Sequence, residues 1–360
     1  MNNKKTVRPV KNQEPRKKNK SNGRSLVVTI IAFVAGGGLG LILGFFISGK
    51  EEKIIETQSD QQQQFTEIRA GGYEFTNPLL DCENFHPSVS RNHVSLKTQL
   101  NDYVNSALQA GLAESISVYY RSLNNGPWIG INEDSFYMPA SMLKVPLMIA
   151  VYKKAQYESG FLNKKIDYTR VLDPSFTQNI VDNVKIEVGK SYTVEELVEY
   201  MIMHSDNNAK ELLLAQIGDE FLINVMIDLG VNIKNRDLSV DFVSPKEYSA
   251  FYRILYNSSY LSRDYSEKAL KLLSKTMFSQ GIPGKLPKTI KIAHKFGERG
   301  FQSTDIKQLH DCGIVYFENN PYLICIMTRG NSFDNLVGII SDISEIVYKS
   351  VNEDISSQGK

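Results

Sequence analysis

The chain has 360 residues, 42% of them hydrophobic and 22% charged, enough to bury one large core or two modest ones. Lysine and arginine number 41 against 40 aspartate and glutamate, so a formal net charge of +1 gives no global field for a nucleic-acid partner. The three cysteines, Cys82, Cys312 and Cys325, show no C-x-x-C spacing and no His/Cys cluster, and neither a metal nor another cofactor is expected.

Residues 1–24 carry nine basic side chains, from Lys4 to Arg24, against the single acid Glu14. With no apolar periodicity they read as a disordered basic arm. From Ser25 to Gly49 there is no charge, and roughly 20 apolar residues suffice to cross a bilayer, so residues 25–49 are expected to form one transmembrane helix. The apolar run is too long for a signal peptide and lacks an Ala-x-Ala-like cleavage site, which favours an uncleaved anchor. The basic arm then stays in the cytoplasm and everything after Lys50 lies outside it, a single-pass topology. Gly36, Gly40 and Gly44 fall four apart and form a small-residue stripe on which a second copy can pair, giving a homodimer. Residues 50–72 are polar, with Gln61 to Gln64 in a row, and read as a stalk. Residues 73–90 hold Phe75, Leu79, Leu80 and Phe85 and are expected to pack on the following domain.

A helix is expected from His93 to Ala110, ending at Gly111, and then a hairpin: Ser115 to Arg121, a turn at Asn124-Asn125-Gly126-Pro127, and a return through Trp128, Ile129 and Ile131. Phe136 to Val151 contains Ser141 and Lys144, three residues apart at the start of an apolar helical run. That spacing stacks both side chains on one helix face, with Ser141 near free backbone N–H groups. A serine there becomes a nucleophile when a partly neutral lysine one turn later takes its proton; the bland alternative is a helix-capping serine followed by a surface lysine. Asp167 to Gly189 is loop-rich. Thr193-Val194-Glu195-Glu196 is a capping box, and the helix it opens delivers Ser205-Asp206-Asn207 at its C-terminal end.

Further helices are expected at Ala209 to Ile217, Asp219 to Leu229, Pro245 to Tyr256 and Ser266 to Met277, and strands at Ile290 to Phe296, Cys312 to Phe317 and Tyr322 to Met327. A closing helix runs from Phe333 to Val351. Strands from both ends must therefore share one sheet. The class expected is α+β, an antiparallel sheet flanked by helices with an inserted all-helical lobe and a cleft at their junction. The domain spans 73–352, and 353–360 read as a tail. Cys312 and Cys325 sit in strands that face each other, and both are expected as buried free thiols.

Three short motifs stand in order: Ser141-x-x-Lys144, Ser205-Asp206-Asn207 and Lys295-Phe296-Gly297. Together they resemble the Ser-x-x-Lys, Ser-Asp-Asn and Lys-Thr-Gly set of class A β-lactamases and penicillin-binding D,D-peptidases, across roughly residues 90 to 350. The resemblance implies the β-lactamase-like two-lobed architecture. It also implies that Ser141 is the acylated nucleophile, that Lys144 helps to activate it, and that Ser205 relays a proton to the leaving nitrogen. Asn207 would hold the substrate amide, Asp206 would brace its loop, and Lys295 would place a positive charge near Ser205 and the substrate carboxylate. Gly297 and Glu298 would border the substrate, the backbone N–H groups of Ser141 and Glu298 forming the oxyanion hole.

Two departures qualify the resemblance. Phe296 replaces the hydroxyl residue of the third motif, with Arg299, Ser303 and Thr304 the nearby polar side chains. No Glu-x-x-Leu-Asn occurs between Gly230 and Pro245, where Asp237 and Asp241 are the carboxylates, so a general base for deacylation is missing. The function expected is a membrane-anchored serine hydrolase that forms an acyl-serine with β-lactams, cleared slowly, or with D-Ala-D-Ala-like cell-wall peptides. The alternative is a non-catalytic cell-wall binding or scaffold module on the same fold.

Overall fold

In the computed structural model, which describes residues 67–82, 91–124, 126–172, 183–231, 233, 236–300 and 304–358, strands from both ends of the chain join one antiparallel sheet. The elements run in order: β1 (Glu67–Arg69), β2 (Leu79–Cys82), α1 (Arg91–Gln109), β3 (Ser115–Ser122) and β4 (Trp128–Ile131). A 3-10 turn, Ala140–Leu143, leads into α2 (Lys144–Tyr157), then β5 (Lys165–Asp167), β6 (Ser191–Thr193), α3 (Val194–Met203), α4 (Asn207–Ile217), α5 (Asp219–Asp228), α6 (Pro245–Tyr256) and α7 (Arg263–Leu273). The chain closes with β7 (Ile292–Gly300), β8 (Lys307–Val315), β9 (Tyr322–Gly330) and α8 (Phe333–Gln358).

The five-stranded sheet has the order β4-β3-β9-β8-β7, each neighbouring pair antiparallel. One face packs on α1 and α8 through Leu96, Leu100, Leu336, Ile340 and Ile343. The other face carries Cys312, Leu323 and Cys325 against the helical lobe, whose core includes Met148, Leu197, Leu213 and Phe251. Burial on both faces explains why β9 reads as a near-continuous apolar run from Tyr322 to Met327 instead of an alternating one, whereas β8 buries the polar Gln308, His310 and Asp311 ahead of its apolar end. Helix starts follow their caps: Thr193 and Glu196 form the expected reciprocal box on α3, and Ser244 with Glu247 forms a second on α6, behind Pro245.

Several boundaries move. The stalk ends earlier than expected, because β1 pairs with β2 and Arg69 donates to the Asn77 and Leu123 carbonyls at 2.7 and 2.5 Å. Residues 67–72 therefore belong to the domain, and Glu267 fixes the next segment by accepting the N–H groups of Glu74, Phe75 and Thr76. At the other end α8 continues to Gln358, so most of the expected tail is helical. The ribbon of β5 and β6 is additional to the expected strands. Cys312 and Cys325 are buried as expected but are not free thiols: they face each other across the β8–β9 ladder with Cα atoms 4.0 Å apart and form a disulfide.

The chain divides into two units, residues 1–63 and 64–360, and the second holds every described residue. The basic arm 1–24, the span 25–49 with its Gly36, Gly40 and Gly44 stripe, and residues 50–66 of the stalk lie outside the described residues. Among the described residues no helix is long and apolar enough to cross a membrane.

Candidate active site

Ser141 stands in the 3-10 turn that feeds α2, and Lys144 is the first residue of that helix. The residue before the serine, Ala140, has φ +50°, a left-handed conformation that costs a non-glycine residue on the order of 1–3 kcal/mol. The turn is held from several sides. Met142 N–H donates to the Pro139 carbonyl at 3.0 Å, and the Tyr248 hydroxyl donates to the Met142 carbonyl at 2.8 Å. Burial pushes the Tyr248 phenol well above its ordinary value, so it remains a donor. β7 passes so close that a Cβ on Gly297 would stand 2.4 Å from the Pro139 oxygen and 2.8 Å from Met142 Cγ. Only glycine fits there.

Lys144, 1% exposed, places Nζ 3.0 Å from Ser141 Oγ, 3.0 Å from Ser205 Oγ, 2.6 Å from the Ser205 carbonyl and 2.7 Å from Asn207 Oδ1. Of these four oxygens only the two serine hydroxyls can also donate, so a neutral amine here can take a proton from Ser141. Ser205 links α3 to α4 at φ +55°, the second left-handed non-glycine residue of the site. Asp206 braces it as expected, accepting from the Ala209 N–H at 2.8 Å as the cap of α4 and from the Ile186 N–H at 3.0 Å. From the sheet side Lys295, fully buried, brings Nζ to 3.1 Å from Ser205 Oγ. Burial pulls its ammonium down to about 7, opposed in part by the charges of Asp311 and Glu298. Ser141, Lys144, Ser205 and Lys295 thus form one continuous chain of hydrogen-bonding groups drawn from a turn, a helix, a loop and a strand.

The profile described as the β-lactamase enzyme family matches residues 95–351, well over half of the sequence. The chain belongs to that family and is a serine hydrolase of the class A-like type. It is 24% identical to β-lactamase VEB-1 of Pseudomonas aeruginosa over 253 residues, 65% of this chain and 84% of that protein. A class A β-lactamase from Bacteroides cellulosilyticus is similar in structure at a TM-score of 0.63 and 20% identity, covering 72% of this chain and 99% of that one. PBP-A, as an acyl-enzyme complex with penicillin G, is similar at a TM-score of 0.60 and 20% identity, covering 72% of this chain and 97% of that one. At such identities the solved structures establish the fold.

Every motif of the family that the sequence retains converges in this one place. Phe296 offers the site no hydroxyl: its ring packs against Phe278, centroids 4.3 Å apart, in the core shared with α1 and α8, and its centroid lies 4.2 Å from Lys295 Nζ. Glu298 follows Gly297 along β7, and Arg299 pairs in register with Gln308. Thr304 accepts from the Ile306 N–H at 3.3 Å, and Ser303 lies outside the described residues. The two carboxylates between Gly230 and Pro245 are engaged elsewhere. Asp237 accepts from the N–H and hydroxyl of Ser239, while Asp241 accepts from Gln308 and pairs with Arg329. Gln308 and His310, both buried, are not singled out by the sequence, where their one signal is a glutamine and a histidine just ahead of the apolar run at Cys312.

Proposed function

We propose that this serine hydrolase is a membrane-anchored penicillin-binding enzyme whose Ser141 is acylated by β-lactams or by D-Ala-D-Ala-like peptides and is freed slowly. The observation that carries this reading is the unbroken chain from Ser141 Oγ through Lys144 Nζ and Ser205 Oγ to Lys295 Nζ. Ser141 Oγ attacks the substrate carbonyl carbon and its proton passes to Lys144. Collapse of the tetrahedral intermediate breaks the C–N bond, and the proton reaches the leaving nitrogen through Ser205. The backbone N–H groups of Ser141 and Glu298 are assigned to the developing oxyanion, where loss of one such donor costs about 3 kcal/mol in the transition state. Asn207 is assigned to the substrate amide and Lys295 to its carboxylate.

Slow release follows from the absence of a Glu-x-x-Leu-Asn sequence between Gly230 and Pro245. A positioned general base contributes about 10² to 10⁴-fold, and both candidate aspartates already hold other partners. Anchoring rests on the uncharged run from Ser25 to Gly49 behind a basic arm, and self-pairing on its glycine stripe. A fluorescent penicillin applied to membranes carrying the full chain should label it at its own mass, and Ser141→Ala should abolish the label. Label that survives this substitution, or a full chain found only in the soluble fraction, refutes the corresponding half of the proposal.

A further inference from the structure

β8 carries Gln308 and His310, only 1% and 0% exposed. They share the sheet face of Gly297 and Lys295, because Gly297 is the register partner of His310. Polar groups this deep cost free energy unless paired, so their partners reveal what they hold. Both hold Met138. Gln308 Oε1 accepts the Met138 N–H at 3.0 Å, and His310 Nε2 lies 3.0 Å from the Met138 carbonyl oxygen. Thr328 N–H donates to His310 Nδ1 at 3.2 Å, which leaves the ring proton on Nε2, shared between that carbonyl and Gln308 Oε1 at 3.2 Å. Burial holds the imidazole down at about 4, so this neutral form persists at neutral pH. The Gln308 amide is oriented in turn by Asp241, which accepts from its Nε2 at 2.9 Å and pairs with Arg329.

Met138 stands two residues before the left-handed Ala140 and three before Ser141. A non-glycine residue keeps such a conformation only where its surroundings over-determine it. Apolar side chains would fill this face without any cost of desolvation, but they would not fix the orientation of a peptide. We propose that His310 and Gln308 are positioning residues for acylation, gripping Met138 by its carbonyl and its N–H so that Ala140 stays left-handed and Ser141 Oγ stays on Lys144. The pair touches no reacting atom and acts only through the backbone. The assignment rests on Ser141 as the nucleophile.

Rapid-mixing acylation of the full chain by a penicillin separates the dissociation constant of the non-covalent complex from the first-order acylation rate constant. His310→Asn withdraws the donor from Met138 and should lower the rate constant by about tenfold or more, because small misplacement of a nucleophile is costly. The dissociation constant should change by less than about twofold, since ground-state binding is untouched. His310→Gln keeps a donor N–H near the Nε2 position and should recover most of the rate. Gln308→Met, which removes the acceptor of the Met138 N–H, provides the same readout if His310→Asn fails to fold. A rate constant within about twofold of wild type in a folded variant, or equal losses in the Asn and Gln variants, would overturn the assignment. A wild type that forms no acyl-enzyme instead refutes the proposed function, and the assignment falls with it.

Discussion

The Nζ atoms of Lys144 and Lys295 lie 3.0 and 3.1 Å from the same oxygen, the Oγ of Ser205. One amine comes from the helical lobe and the other from the sheet, so the hydroxyl joins the two walls of the site. Two ammonium groups directed at one atom repel, and that favours one neutral amine in the pair. Ser205→Ala breaks the connection and should slow acylation by about 10²-fold or more, the scale of a lost proton-transfer group. Ser205→Gly should lose as much activity yet unfold at a higher temperature than the alanine variant, because glycine accepts φ +55° without strain. Comparing burst rates and melting temperatures of the two variants checks both parts.

The pH dependence of binding follows from Lys295. Burial pulls its ammonium down to about 7, with Asp311 and Glu298 opposing, so the positive charge assigned to the substrate carboxylate is lost as pH rises through that value. Affinity for an anionic penicillin should therefore fall by up to about tenfold between about pH 7 and 8.3, following the protonated fraction. Titration calorimetry on Ser141→Ala reads binding without acylation. A flat profile across this range would remove Lys295 from carboxylate recognition. Stability moves with pH as well: between about 7 and 10.5 the unfolded chain holds the lysine proton that the folded chain has shed, so the contribution of Lys295 rises with pH.

The first residues of the domain can be tested by truncation. Arg69 donates to two backbone carbonyls and lies over the Tyr256 ring, its guanidinium carbon 5.7 Å from the centroid. A chain beginning at residue 67 should be more stable than one beginning at residue 71 by about 1–3 kcal/mol, the scale of charge-assisted hydrogen bonds. Equal denaturant midpoints would return residues 67–70 to the stalk.

Much of this architecture is legible in the sequence because its signals are local. The box from Thr193 to Glu196, the glycine after Ile217 and the proline opening α6 each fix a helix end within a few residues. The three motifs locate the site for the same reason. Contacts between distant segments leave no such mark. β8 begins five residues before the apolar run at Cys312, because Lys307 to Asp311 gain their partners from β7 and β9 and not from their own hydrophobicity. His310 and Gln308 fall in that stretch, and their grip on Met138 spans about 170 residues. The disulfide was hidden by the same limit, since strand order does not reveal which residues stand directly opposite. β1, β5 and β6 are three residues long, too short for alternation to show.

The most direct test is time-resolved intact-mass spectrometry of the wild type and Ser141→Ala after mixing with a penicillin. The wild type should gain one full penicillin mass in a stoichiometric burst and lose it slowly, as an acyl-enzyme without a deacylating base must. Ser141→Ala should gain nothing. Asp241→Asn should leave the slow phase unchanged, because that carboxylate is occupied by Gln308 and Arg329. An adduct on Ser141→Ala would contradict the nucleophile assignment. Rapid turnover by the wild type, slowed about 10²-fold by Asp241→Asn, would contradict the missing base and show that the aspartate serves as one.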